Sequence, residues 1–310
     1  MAAVHRRRRL LALTGVLAAA ALGAGVLAGA GGGKPEPVRA GGQPALPPAP
    51  PALPRGGLTI FPRYRVVAYY GAPQNAQLGA LGIGTPASAV ARLERQAKPY
   101  ARPGRPVLPA LELLASIANS DPGPDGMYRT RQPDAVIERY LRAARRAKAL
   151  LLLDIQPGRS DFFTEAQWLE RWLREPDVGL ALDPEWRVRA DQVPGKVIGR
   201  VDAAEVNTTT AWLADLRHRG ALPDKLVVVH QFTDAMVDER ALTARAGLEI
   251  VLNADGFGSR EVKESKYHAF TRQAPGFHAG FKLFYEEDVG LMSPRDVLGL
   301  RPPPDFVVYE

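Results

Sequence analysis

The chain has 310 residues, 46% of them apolar, and a formal net charge of +7. That length allows one or two domains with a sizeable buried core, and an α/β barrel uses about 250 residues in a single domain. There is no cysteine, which excludes a disulfide scaffold, thiolate metal sites, a cysteine nucleophile and a lipid-modified cysteine.

Residues 6–9 are four arginines, and an uncharged apolar run follows from Leu10 to Ala30, closing on Ala28-Gly29-Ala30. A positive segment ahead of an apolar one predicts a signal peptide, or an N-terminal membrane anchor if it is not cleaved, over residues 1–30. Arginines stay on the cytoplasmic side, so the rest is expected outside the cytoplasm, secreted or held at the membrane by that segment. Residues 31–58 carry GGGKPEP and PALPPAPPALP, which predicts a Pro/Gly-rich linker of polyproline II character. The remaining positive charge is scattered along helices, as at Arg142, Arg145, Arg146 and Lys148. No basic stripe interleaved with aromatics is present, so no nucleic-acid partner is expected.

The folded domain is expected over residues 59–310. Short apolar runs recur at Arg65–Tyr70, Val107–Leu114, Leu150–Ile155, Gly179–Asp183, Lys225–Phe232, Leu248–Asn253, Gly280–Tyr285 and Phe306–Tyr309. Apolar at most successive positions, they read as parallel strands buried on both faces. Helix starts fall between them at Thr85-Pro86, Gln132-Pro133-Asp134, Thr164-Glu165, Asn207-Thr208, Asp238, Ser259 and Ser293-Pro294, where caps and first-turn prolines belong. The second helix is expected to run to about Lys148. Seven strand–helix units and a closing strand predict a (β/α)₈ TIM-type barrel, with its eighth strand at the C-terminus and no final helix; an open doubly wound sheet is the alternative. Residues 186–206 break the rhythm and read as a long loop with room for a hairpin.

Chemistry in such barrels sits where the strands end. The polar residues there are Tyr69-Tyr70, Glu112, Asp154, Gln156, Asp183-Pro184-Glu185-Trp186, His230-Gln231, Asn253, Asp255, Tyr285-Glu286-Glu287-Asp288 and Tyr309-Glu310. Residues two apart on a strand share a face, so Asp183 and Glu185 are expected to point inward with the small Gly179 and Ala181. Two carboxylates that close push their pKa values apart and separate an acid from a base. A loop-capping Asp183 with a solvated Glu185 is the other reading. Asp154 stands in a greasy run, and Lys282 is its candidate ion-pair partner. Parity with Lys282 turns Glu286 inward. Tyr69, Tyr70, Trp186 and Phe257 are candidate stacking faces. The catalytic candidates are therefore Glu185, Asp183, Glu286 and Asp154. Tyr69, Tyr70, Gln156, Trp186, His230, Gln231, Asn253, Asp255, Lys282 and Tyr285 are candidate binding residues.

In its order of elements and its rim of acids, the chain resembles barrel glycoside hydrolases in general. Asp183-x-Glu185 is similar to the strand-four motif of muramidase-type and chitinase-type barrels. The resemblance implies Glu185 as acid/base and Glu286 as nucleophile, acting on a cell-wall or extracellular polysaccharide. It departs from them in lacking an Asn-Glu pair at strand four, an Asp-rich lead into Asp183 and an acid ending strand one. A non-catalytic envelope protein that binds glycan or a partner is the first alternative. A metal-assisted hydrolase using Asp154, Asp183, Glu185 and His230 is the second. Five histidines without His-x-His or His-Glu-x-x-His give no metal set and no cofactor from sequence.

Overall fold

The computed structural model describes residues 51–271 and 276–310; the leader of residues 1–30 and the linker up to residue 50 lie outside them. Nine strands form one sheet: β1 (Arg65–Gly71), β2 (Val107–Ala118), β3 (Arg129–Arg131), β4 (Leu150–Ile155), β5 (Val178–Leu182), β6 (Lys225–Gln231), β7 (Leu248–Ala254), β8 (His278–Leu283) and β9 (Phe306–Tyr309). Eight of them are parallel and close on themselves, because β1 pairs with both β2 and β9. The short β3 hangs antiparallel on the extended end of β2. This is the expected TIM-type barrel, and no helix follows β9 among the described residues.

Strand alternation divides the apolar side chains into two cores. Val66, Ala68, Leu108, Ala110, Leu150, Leu152, Ala181, Leu226, Val228, Val251 and Val308 fill the inside. Their neighbours along the strands, such as Val67, Leu151, Leu180, Val227 and Leu252, pack outward against the helices. Gly179 is required inside: a Cβ there would lie 2.5 Å from the Leu226 carbonyl oxygen and 2.7 Å from Leu152 Cδ2. The expected inward parity of Gly179, Ala181 and Asp183 therefore holds.

The helices are α1 (Pro86–Ala97), α2 (Asp134–Arg146), α3 (Phe162–Trp168), α4 (Glu170–Leu173), α5 (Ala203–Arg219), α6 (Arg260–Thr271) and α7 (Pro294–Gly299). Thr85 and Ser293 cap α1 and α7 through reciprocal bonds with Ser88 and Asp296, as a hydroxyl before proline leads one to expect. Helix α5 starts four residues ahead of Asn207, behind Asp202. The expected helix at Asp238 is only a 3₁₀ turn, Glu239–Ala241. Asn207 explains the difference. Its side chain donates to the Ala241 carbonyl and accepts from the Thr243 amide, groups that a continuing helix would have paired internally. The loop after β5 holds an isolated bridge between Pro194 and Val197 but no hairpin.

Residues 53–58 do not behave as linker. Leu53 is 3% exposed and packs with Ile60, Phe61 and Tyr64 in the inner core. Arg55 donates to the carbonyls of Val107 and Lys148, and the Tyr64 hydroxyl bonds back to the Arg55 and Gly56 carbonyls. The N-terminal mouth of the barrel is thus closed by chain placed before the expected domain boundary at residue 59.

Candidate active site

Each of the eight barrel strands delivers an inward polar side chain to the layer above the inner core. In barrel order these are Tyr70, Glu112, Asp154, Asp183, His230, Asn253, Lys282 and Glu310, with Asp255 just beyond β7. All continue the parity of the apolar residues beneath them. Gly280 makes room for this layer: a Cβ there would stand 2.6 Å from Val251 Cγ1 and 2.7 Å from Asn253 Oδ1.

His230 is the hub. Its Nε2 lies 2.7 Å from Glu112 Oε1 and 3.3 Å from Asp154 Oδ2. Its Nδ1 lies 3.1 Å from Asp255 Oδ2 and 3.2 Å from the Asn253 amide. Lys282 Nζ sits 3.0 Å from Asp255 Oδ2, 2.9 Å from Glu310 Oε2 and 3.8 Å over the Tyr70 ring. Gln156 donates to the Tyr70 hydroxyl at 3.1 Å.

Five carboxylates face two cationic side chains in a nearly sealed space. The side chains of Glu112, Asp154 and His230 are 0% exposed, and Glu310 is the most open of the group at 13%. Burial raises the Asp183 carboxyl well above its usual range; His230 opposes this, while the charges of Asp154 and Glu185 add to it. Burial also raises Glu112, against the pull of His230. For His230 burial works the other way, but the Glu112 charge and hydrogen bonds to Asp154, Asp255 and Glu112 outweigh it and favour the charged ring. Glu112 Oε2, Asp154 Oδ1, Asp183 Oδ1 and Asn253 Oδ1 accept no hydrogen bond. Such buried orphans are uncommon and costly.

The candidates thus separate into two groups. Asp154, Asp183, Tyr70, Gln156, His230, Asn253, Asp255 and Lys282 converge on the ring. Lys282 pairs with Asp255 and Glu310 rather than with Asp154. Tyr69 and Tyr285 do not join it: Tyr69 points outward, and the two hydroxyls meet at 3.2 Å in a cluster with Tyr309 beside α1. Gln231 also faces outward, toward Glu239. Phe257 packs between Phe232 and Phe284 rather than standing open. Glu112 and Glu310 are the residues that strand-end reading noted but did not select. The signal was present, since Glu112 is a lone acid within the apolar Val107–Ala118 run and shares parity with Leu108 and Ala110.

The strand geometry expected to set Asp183 and Glu185 on one face is not formed. Strand β5 ends at Leu182, and Pro184 opens a 3₁₀ turn through Trp186, so the two-residue repeat stops before Glu185. Glu185 and Trp186 sit half-buried on that turn, and Glu286 is exposed on the loop after β8. Asp183 is sealed at 2% exposure. Among the described residues, the surface cavities beside Asp202 and beside Arg187 are lined by none of these acids. A surface cavity of about 870 Å³, lined by Asp202, Asp238, Arg240 and His268 among others, lies outside the barrel and reaches none of the ring.

No family model matches the chain, and no curated protein matches it. Solved structures do match, among them the dihydropteroate synthase of Burkholderia cenocepacia complexed with 7,8-dihydropteroate. It is 14% identical, with a TM-score of 0.37, over 80% of this chain and 86% of that one. With Glu185 on a turn, Glu286 exposed and Asp183 sealed, the geometry gives no support to a cell-wall glycosidase. No described helix is long and apolar enough to cross a membrane.

Proposed function

We propose that the barrel is an acid–base enzyme that moves protons on a small oxygen-bearing compound held within its upper polar layer. One observation carries this reading: all eight strands turn a polar side chain into the same buried layer, five of the residues there being acids. A layer that serves only packing would be apolar, because desolvating a carboxylate costs several kcal/mol even where a cation is close by. The near-closure at Glu310 favours a small compound over a polymer. Asp183, whose protonated form burial favours, is the proton donor in this scheme. His230, bridging Glu112 and Asp255, is the relay, and Lys282 orients the oxygen that gains charge.

The test is solvent exchange. The protein is incubated in D₂O with a panel of small aldehydes, ketones, 2-hydroxy acids and 2-oxo acids, and loss of C–H signals is followed by proton NMR. At least one compound is expected to exchange, and Asp183→Asn to slow it by about 10²–10⁴-fold. Exchange in no compound, or a change below about tenfold in the variant, removes the proposal. The arginine-led apolar run of residues 6–30 supports an extracytoplasmic location for this domain. A fusion of residues 1–60 to alkaline phosphatase, active only after export, checks it: an inactive fusion places the barrel in the cytoplasm.

A further inference from the structure

We propose that Glu112, Asp154 and His230 form a site for one divalent transition-metal ion. The three side chains each present a ligand atom, all within 4.8 Å of one another. They come from β2, β4 and β6, three different strands of a rigid barrel, so their convergence does not depend on a loop. A metal with bonds of about 2.0–2.2 Å to nitrogen and oxygen needs ligand atoms roughly 3.0–3.4 Å apart. His230 Nε2 already lies 3.3 Å from Asp154 Oδ2 and 2.7 Å from Glu112 Oε1, so the histidine needs to shift by only a few tenths of an ångström relative to either acid.

Two further observations point to a cation rather than to a self-contained ion-pair cluster. Glu112 Oε2 and Asp154 Oδ1, the second oxygens of the two acids, are wholly buried and accept no hydrogen bond. The second is the support behind the histidine. Asp255 Oδ2 lies 3.1 Å from His230 Nδ1 and is itself fixed by Lys282 at 3.0 Å. A proton on Nδ1, held by that carboxylate, leaves the Nε2 lone pair aimed between Glu112 and Asp154. Carboxylate–histidine–metal relays of this form orient ligating histidines generally. One imidazole and two carboxylates suit Mn²⁺, Co²⁺ or Zn²⁺ better than the all-oxygen preference of Ca²⁺.

The inference rests on the proposed function only for its use: a bound ion would polarise an oxygen of the small substrate. Whether the ion binds is independent. The measurement is Mn²⁺ titration of chelator-treated protein, followed by electron paramagnetic resonance and by calorimetry in two buffers of different ionisation enthalpy. One Mn²⁺ per chain is expected, with release of about one proton and affinity that rises with pH, because the metal displaces the proton on Nε2. The near-isosteric Asp154→Asn and His230→Gln should abolish binding. Asp255→Asn, acting through the histidine, should weaken it about 10–100-fold. If the variants do not fold, Zn²⁺ located by anomalous diffraction in the wild-type protein decides the question.

No saturable Mn²⁺ or Zn²⁺ binding to the folded wild-type protein would overturn the site, as would undiminished binding in Asp154→Asn or an ion located elsewhere. If exchange in D₂O persists in chelator-treated protein and no ion binds, the metal site falls and the acid–base reading stands. If Mn²⁺ binds to the triad but no compound exchanges, the outcome is reversed.

Discussion

Lys282→Met tests whether the polar ring is a charge-balanced unit. The ammonium is 2% exposed and holds Asp255 Oδ2 at 3.0 Å and Glu310 Oε2 at 2.9 Å. Methionine is close to lysine in length and can keep the contact over Tyr70. The loss is then mainly electrostatic, leaving five carboxylates opposite His230 alone. Removing one partner of a buried ion pair costs about 3–5 kcal/mol. In a domain of this size each kcal/mol lowers the melting temperature by about 2–4 °C, so the variant should melt roughly 6–20 °C lower at pH 8. The deficit has a sign in pH. A ring short of positive charge regains neutrality by binding protons in the folded state, so the variant should recover stability as pH falls toward about 5. Melting curves by circular dichroism at both pH values provide the assay. A deficit below about 1 kcal/mol at pH 8, or one that does not shrink on acidification, would refute the charge-balance argument.

Other outcomes follow from the same geometry. At the N-terminal mouth, burial opposes charge on His278, but hydrogen bonds to Asp305 and Glu249 outweigh it and lift the ring to about 9. A raised histidine pKa stabilises fully below its unfolded value near 6.5 and ceases to as pH rises through about 9. His278→Gln should therefore cost on the order of 2 kcal/mol at pH 6 and nearly nothing at pH 10 in urea melts, whereas equal losses at both would exclude the ion pairs as the cause. Leu53→Ala in the full chain should cost about 2–5 kcal/mol as a buried leucine; an effect under about 0.5 kcal/mol would return residues 53–58 to the linker. Gly280→Ala should cost about 1–3 kcal/mol by overpacking against Val251 and Asn253, and should shift the His230 ring resonances. Unshifted resonances would show that Asn253 does not depend on that gap.

The barrel was legible in the sequence because its signal is local. A strand buried on both faces must be apolar at nearly every position, and Leu150–Ile155 or Lys225–Gln231 can be recognised without knowing their neighbours. Helix starts at Thr85 and Ser293 were equally plain, since a cap acts within four residues. Asp238 was not, because the competing hydrogen bonds come from Asn207 on another helix. Leu53 was missed for a similar reason. Proline-rich composition describes what a segment does alone, and only the open mouth of the barrel gives that leucine something to cover.

The polar layer shows the same division. By itself the sequence determined that eight apolar runs each carry polar residues near their ends, and that parity turns some of these inward. Tertiary structure decided which inward residues meet. Strand stagger around the closed barrel brought Glu112, Asp154 and His230 together from positions up to 118 residues apart, and a turn at Pro184 removed Glu185 from the row. Pairing between distant strands fixes the relative height of side chains, and no periodicity within one strand contains that height.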